Sequence, residues 1–306
     1  MSDTVGVALT HHHTAVCVSD WAVSAAFYEQ LGFRVENDWY WPDGVRHHKS
    51  LLRFRDREDC WLELFEFPEG RGRLTDRYTR SAGCVYHFAL ETFFPDDVDR
   101  LYQYALDLGG RPGEAPETAV LAGAGNADWA MRRASVLGPD GERIAFLCPI
   151  AGQAPVGCTV GEELDGVKGF HHNALRVADL DRSVGFYQSL GFETAGRYRE
   201  RGTDLALMRL PNGNGLLLRG DGREGLPTDV ERMQAAGSMF QYCFWVNGPE
   251  EIDRAYDFCV AHGARERIRP FWHEAYGLSH WVDKPAFVYG PDDEILEFLY
   301  IDYQNN

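Results

Sequence analysis

His11-His12-His13-Thr14-Ala15-Val16-Cys17-Val18-Ser19-Asp20-Trp21-Ala22-Val23-Ser24-Ala25-Ala26-Phe27-Tyr28-Glu29-Gln30-Leu31-Gly32-Phe33 opens a pattern that the chain repeats. It returns as His171-His172-Asn173-Ala174-Leu175-Arg176-Val177-Ala178-Asp179-Leu180-Asp181-Arg182-Ser183-Val184-Gly185-Phe186-Tyr187-Gln188-Ser189-Leu190-Gly191-Phe192. Both copies start with a histidine pair and alternate in polarity over a strand's length. They then turn at Asp and run at helical period into Leu-Gly-Phe. The chain is an internal duplication.

Working outward, each copy divides again. In the first unit residues 13–18 read as a strand and Val23 to Leu31 as a helix, followed by strands over Trp39 to Trp41, Ser50 to Phe54 and Cys60 to Phe67. The second has a strand at Val85 to Leu90, an amphipathic helix from Pro95 to Leu108 and a hairpin from Ser135 to Leu147 through Gly138-Pro139-Asp140-Gly141. The third offers strands at His172 to Val177, Leu205 to Leu210 and Leu216 to Leu218, with a helix from Arg182 to Leu190. The fourth runs from Gln241 to Val246 through a helix at Glu250 to His262 to a final strand at Ile295 to Tyr300. Asp99-Arg100-Leu101-Tyr102 matches Asp253-Arg254-Ala255-Tyr256, and Gly138-Pro139-Asp140 matches Gly290-Pro291-Asp292. The expected fold is α+β, with four βαβββ units paired into two tandem cupped mixed-sheet domains over 8–150 and 168–303. Residues 151–167, rich in Gly, Ala and acidic side chains, form the expected linker.

Composition narrows the function. A chain of 306 residues suits two domains, and 44% apolar residues fill two cores. A net charge of −17 argues against a nucleic-acid partner, because phosphate rewards clustered Lys and Arg. No apolar run reaches the ~18 residues of a membrane span, and the start lacks a charged and apolar leader. The expectation is a cytoplasmic protein. Seven cysteines without a C-x-x-C pair indicate small core residues rather than disulfides or a zinc knot. G-x-S-x-G, the phosphate-binding G-x-x-x-x-G-K-[ST] and a strand-borne G-x-G-x-x-G are all missing from the sequence.

Four such units, with a histidine opening a first strand and an aliphatic-Glu-aliphatic triplet on a last strand, resemble the vicinal oxygen chelate superfamily. That superfamily includes glyoxalase, methylmalonyl-CoA epimerase, fosfomycin-resistance proteins and type I extradiol dioxygenases; the four-unit length is most similar to the last. The resemblance implies a metal in each cup on residues of first and last strands. Carried over, it gives an N-terminal set of His13, Glu63 from Leu62-Glu63-Leu64, and His87, with Ala145 at the fourth position. The C-terminal set is His172, Gln241 and Glu297 from Leu296-Glu297-Phe298, with an aliphatic residue of Leu216-Leu217-Leu218. Two imidazoles and a carboxylate are the face of non-heme Fe(II) oxygenases. The extradiol pattern also places an acid-base histidine and a tyrosine before the last glutamate, here nearest His280 and Tyr289.

The resemblance implies a divalent metal, Fe(II) first and Mn(II) or Zn(II) next. The partners expected are a small-molecule substrate, dioxygen for an oxygenase, and further copies of the chain in a homo-oligomer. Three functions stay open: a dioxygenase-like enzyme on a phenolic, catecholic or other chelating molecule; a glyoxalase- or epimerase-type isomerase or lyase; and a non-catalytic protein that sequesters a planar ligand. His47-His48 are expected at a cup mouth, and the aromatic segment Phe271 to Trp281 along the wall of the C-terminal cup.

Overall fold

A computed structural model describes residues 4–40, 48–55, 60–66, 72–73, 76–151, 166–223, 235–276 and 280–302. Most of the expected linker lies outside them, as do Trp41, His47, Phe67 and residues 277–279 of the aromatic segment.

The first unit contains β1 (Thr10–Val18), α1 (Trp21–Gln30), β2 (Phe33–Tyr40), β3 (His48–Phe54) and β4 (Trp61–Glu66). The second contains β5 (Val85–Thr92), α2 (Pro95–Asp107), β6 (Glu117–Gly123), β7 (Trp129–Leu137) and β8 (Arg143–Ala151). The third contains β9 (Val167–Arg176), α3 (Leu180–Ser189), β10 (Glu193–Glu200), β11 (Thr203–Arg209) and β12 (Gly215–Arg219). The fourth contains β13 (Met239–Trp245), α4 (Pro249–Ala261), β14 (Arg265–Ile268), β15 (His273–Tyr276), β16 (His280–Tyr289) and β17 (Ile295–Ile301). No helix of the described residues is long and apolar enough to cross a membrane.

Local chemistry explains the repeated strand-to-helix turn. The Asp20 carboxylate accepts from the Val23 N–H, and Asp179 accepts from the Arg182 N–H, so each helix begins on a capped turn. Gly32 and Gly191 end these helices with φ of 102° and 93°, a region where a Cβ is costly. Strands β6 and β10 are not legible from pattern, because exposed Val120 and Ala122 in β6 and the run of polar residues Arg197, Arg199 and Glu200 in β10 blur the contrast between faces. They pair with each other at Tyr198↔Gly123, so tertiary closure decides their conformation.

Register places the same residues in every unit. Ala15 lies opposite Glu63, Ala89 opposite Ala145, Ala174 opposite Leu217, and Cys243 opposite Glu297. Side chains two apart on a strand share a face, so His13, His87, His172 and Gln241 each sit one step along the inner face from those pairs. Alternate residues turn outward into the main core beneath the helices. Val16, Leu62, Leu64, Phe244 and Phe298 are all buried there. Truncating a side chain such as Phe298 to Ala would cost ~3–5 kcal/mol, because a close-packed core fills the cavity only partly.

The units pair differently from the expectation drawn from chain order. β1 runs antiparallel to β13, with Ala15 opposite Gln241, so the first unit joins the fourth. β5 runs antiparallel to β9, with Ala174 opposite His87, so the second joins the third. The outer cup has the order β2-β3-β4-β1-β13-β17-β16, with β14 and β15 on β16. The inner cup runs β6-β7-β8-β5-β9-β12-β11-β10, and β10 returns to β6 to close a ring. Closure removes exposed sheet edges.

Helix docking follows the other pairing. Tyr28 of α1 donates its hydroxyl to Glu142 at 2.7 Å, and Tyr187 of α3 donates to Glu294 at the same distance. These ties join first to second unit and third to fourth. Each half of the chain is therefore stapled by its helices, yet gives one unit to each cup. The cups meet where Gly83 and Gly237, both at positive φ, pass the backbones of Asp292 and Asp140; a Cβ at either would collide with a carbonyl oxygen.

Candidate metal centre

In the outer cup four polar side chains converge on one point of the inner face. His13 comes from β1, Glu63 from β4, Gln241 from β13 and Glu297 from β17, and all four are buried. His13 Nε2 is 3.2 Å from Glu63 Oε2 and 3.1 Å from Glu297 Oε2. The Gln241 amide reaches both His13 Nε2, at 3.3 Å, and Glu297 Oε2. The oxygen and nitrogen of a glutamine amide exchange places by one rotation, so Gln241 can turn its oxygen to the same point.

This arrangement fits a cation. Glu63 Oε2 is buried without a hydrogen-bond partner, although His13 lies close, and the ligand atoms of His13, Glu63 and Glu297 fall within 4.8 Å of one another. An orphaned carboxylate oxygen facing an imidazole and a second carboxylate has the composition of a divalent-metal site. Without a cation, a proton takes its place. Burial alone would lower the His13 pKa, but Glu63 and Glu297 outweigh it and raise it to about 9.

The two carboxylates differ. Lys49 of β3 bonds Glu63 Oε1 at 2.6 Å. Burial would raise the Glu63 pKa, yet the Lys49 and His13 charges overcome it and hold it at about 2. Sequence reading passed over Lys49, although a lysine in the middle of the strand His48-Lys49-Ser50-Leu51-Leu52 was the available signal. His12 has no role legible in the sequence. Its Nδ1 meets His13 Nδ1 at 2.8 Å while its ring stacks on Trp61 and Trp245, so it fixes the orientation of the His13 ring. Cys243 also groups with His12 and His13, but burial and the nearby Glu297 charge push its thiol well above the usual range, away from a ligating thiolate.

His87 is not brought to His13 and Glu63, and His172 is not brought to Gln241 and Glu297. The two histidines face each other in the inner cup, Nε2 to Nε2 at 3.0 Å. The reason is the strand pairing, which puts β5 beside β9 and leaves Ala145 and Leu217 at the carboxylate positions. The expected triad of two imidazoles and one carboxylate is thus divided between cups. His280 and Tyr289 stand at opposite ends of β16, nine residues or roughly 30 Å apart at strand rise, so they cannot flank one reacting centre. Tyr289 packs on the inner face with Phe65, Phe240 and Phe287, and Arg265 covers its ring at 4.1 Å. His280 pairs with Glu274 at 3.8 Å.

The family model for the Glyoxalase/Bleomycin resistance protein/Dioxygenase superfamily matches residues 10–146 and 169–298. No curated protein matches the chain. Among solved structures, a glyoxalase I mutant from Zea mays is 17% identical, with 95% of this chain and 94% of that one covered and a TM-score of 0.65. A putative dioxygenase from Bacillus subtilis is 14% identical over 96% and 85%, also with a TM-score of 0.65. At these identities the likeness establishes the fold, and the chemistry rests on the residues above.

Proposed function

Because the chain belongs to the Glyoxalase/Bleomycin resistance protein/Dioxygenase superfamily, we propose that it is a divalent-metal-dependent isomerase or lyase of glyoxalase type. Its substrate class is a small molecule with two adjacent oxygens and an acidic C–H beside a carbonyl. One observation carries the reading: the four donors of the outer cup include two carboxylates in unequal settings.

A divalent cation held by His13, Glu63, Glu297 and the Gln241 amide oxygen would polarise the substrate's oxygens and acidify the neighbouring C–H. The protein supplies the rest. Glu63, tied to Lys49 and ionised down to about pH 2, is a fixed anion and a poor base. Glu297 has no lysine against the oxygen that faces His13; its partner there is the neutral Gln241 amide. It is the group free to take a proton from one carbon and return it to the next. Phe65, Phe240, Phe287 and Tyr289 cover the same inner face and keep water from competing for that proton.

The donor set favours this reading over a dioxygenase. Fe(II) oxygenases use two imidazoles and one carboxylate, whereas the outer cup offers one imidazole, two carboxylates and an amide. Such an oxygen-rich set suits Mn(II) better than Fe(II).

The test is solvent exchange. Protein loaded with Zn(II) or Mn(II) is incubated in D₂O with a panel of α-hydroxycarbonyl compounds, and deuterium entering beside the carbonyl is followed by NMR. Exchange that falls at least 100-fold in Glu297→Gln, with metal content kept, supports the assignment. Dioxygen uptake with a catechol panel and no exchange would overturn it in favour of the oxygenase.

A further inference from the structure

The wall of the outer cup beside Glu297 leads to a cation. Phe287 of β16 lies directly opposite Glu297, and Tyr289 lies opposite Ile295, so both half-buried rings stand on the inner face next to the four donors. Strand β14 runs along the other side of β16, with Arg265 opposite Tyr289 and Ile268 opposite Phe287. A register shift between Glu266 and Ile268 makes Arg267 the extra residue of a bulge, a device that re-aims a side chain. Its guanidinium carbon lies 5.4 Å from the centre of the Phe287 ring and 6.0 Å from that of Tyr289.

The neighbouring arginines point elsewhere. Arg265, which also covers Tyr289, pairs with Asp293 at 2.5 Å, and Arg269 pairs with Glu266 at 2.7 Å. Both are exposed, whereas Arg267 is half-buried against the aromatic wall. On the other side of the centre the cation is Lys49, whose ammonium is held on Glu63 at 2.6 Å and stands 4.8 Å from the centre of the Phe65 ring. The two sides are therefore unlike. Lys49 offsets the charge of a donor of the centre itself, while Arg267 lies beyond Glu297, on the far side of one aromatic residue.

Neighbouring strands are about 5 Å apart, so two spacings, roughly 10 Å, separate the backbone of Glu297 from that of Arg267. A substrate that keeps its two oxygens at the centre and lies along Phe287 and Tyr289 brings its far end to the guanidinium. A guanidinium meets a carboxylate through two parallel N–H···O bonds, and the pairing is stronger beside aromatic walls than in open water. The chain as a whole carries a net charge of −17, so an anion is held only where local cations outweigh that field.

We propose that the outer cup selects substrates that bear a carboxylate at the end remote from the two adjacent oxygens, across an apolar spacer about one ring long, and that Arg267 sets this preference. The inference rests on the outer cup being the reaction site of the isomerase or lyase described above. Arg267 acts on the substrate's remote end and takes no part in the proton transfer.

The experiment uses the full chain loaded with Mn(II) and two probes that share one reacting end, hydroxyacetophenone and 4-(hydroxyacetyl)benzoate. Calorimetry gives the affinity of each, and deuterium uptake from D₂O, read by mass spectrometry, gives the turnover. The carboxylate is expected to bind at least tenfold more tightly. Arg267→Gln should remove that preference and leave the neutral probe within twofold of its parent affinity and exchange rate. Arg269→Gln, which deletes the same charge two residues away, should keep the preference. Tighter binding of the carboxylate that depends on Arg267, with no exchange of either probe, would support this inference and sink the isomerase reading. Exchange of both probes with equal affinities, or a preference that survives Arg267→Gln or disappears equally in Arg269→Gln, would overturn the inference and leave the isomerase reading standing. Failure of the carboxylate to bind at all would overturn it as well.

Discussion

The outer and inner cups share a fold, a strand register and a histidine pair, and differ in what the second histidine of the pair meets. In the outer cup His12 supports His13, whose Nε2 faces two carboxylates. In the inner cup His171 supports His172, whose Nε2 faces a third imidazole. Carboxylates at the last-strand positions make a cation site; Ala145 and Leu217 at the same positions leave room for a cavity. The last-strand side chains separate a centre with two carboxylates from one with none at those positions.

The contrast breaks most directly at Glu297. Glu297→Ala should lower metal affinity at least 1000-fold, because it removes one of four donors and leaves Gln241 facing an empty point. His87→Ala should leave metal content at its parent value. Elemental analysis of both variants after dialysis decides it: metal lost with His87 rather than Glu297 would put the cation in the inner cup.

Proton competition sharpens the same contrast. The His13 pKa, raised to about 9 without metal, means a cation must displace a proton over the whole range below that value. Apparent metal affinity should therefore rise about tenfold per pH unit between pH 6.5 and 9 and level off above. Competition titration against a chelator of known affinity measures the slope, and a flat profile would mean that His13 is not a ligand.

The smallest effect concerns the staples that tie the cups. Burial raises the pKa of Glu142 and of Glu294 from 4.5 to about 7. A carboxyl with a raised folded-state pKa holds more protons folded than unfolded, so stability falls as pH climbs from 4.5 to 7. Urea midpoints should drop across that window in the parent and flatten in Glu142→Gln/Glu294→Gln. A parent curve flat from pH 4.5 to 7 would show that neither group titrates there.

Much of this was legible in the sequence, for local reasons. The histidine pairs, the aspartate caps and the aliphatic-Glu-aliphatic triplets depend on residues close in the chain, and all four units carry the expected residues at equivalent register positions. Which units share a cup was not legible. His87 and Gln241 occupy equivalent first strands, and nothing local says which one lies beside His13. The same blindness hid buried Arg209, which donates to the ring of His171, 38 positions away. Lys49 escaped because one lysine in a strand is usually solvated, and only the approach of β4 gives it Glu63.

The crossed strand pairing bears on how the molecule is made. The inner cup closes across 85 residues, from His87 to His172, between units that leave the ribosome one after the other. The outer cup must wait: His13 and Gln241 are 228 positions apart, and the strand bearing Glu297 is the last to emerge. During synthesis the first unit holds β1 with one open edge until the fourth arrives, an interval of ~10–50 s at ordinary elongation rates. The Tyr28–Glu142 staple can anchor that unit to the second in the meantime. The inner cup has all its strands while synthesis continues, and the outer one has them only when the last strand is out.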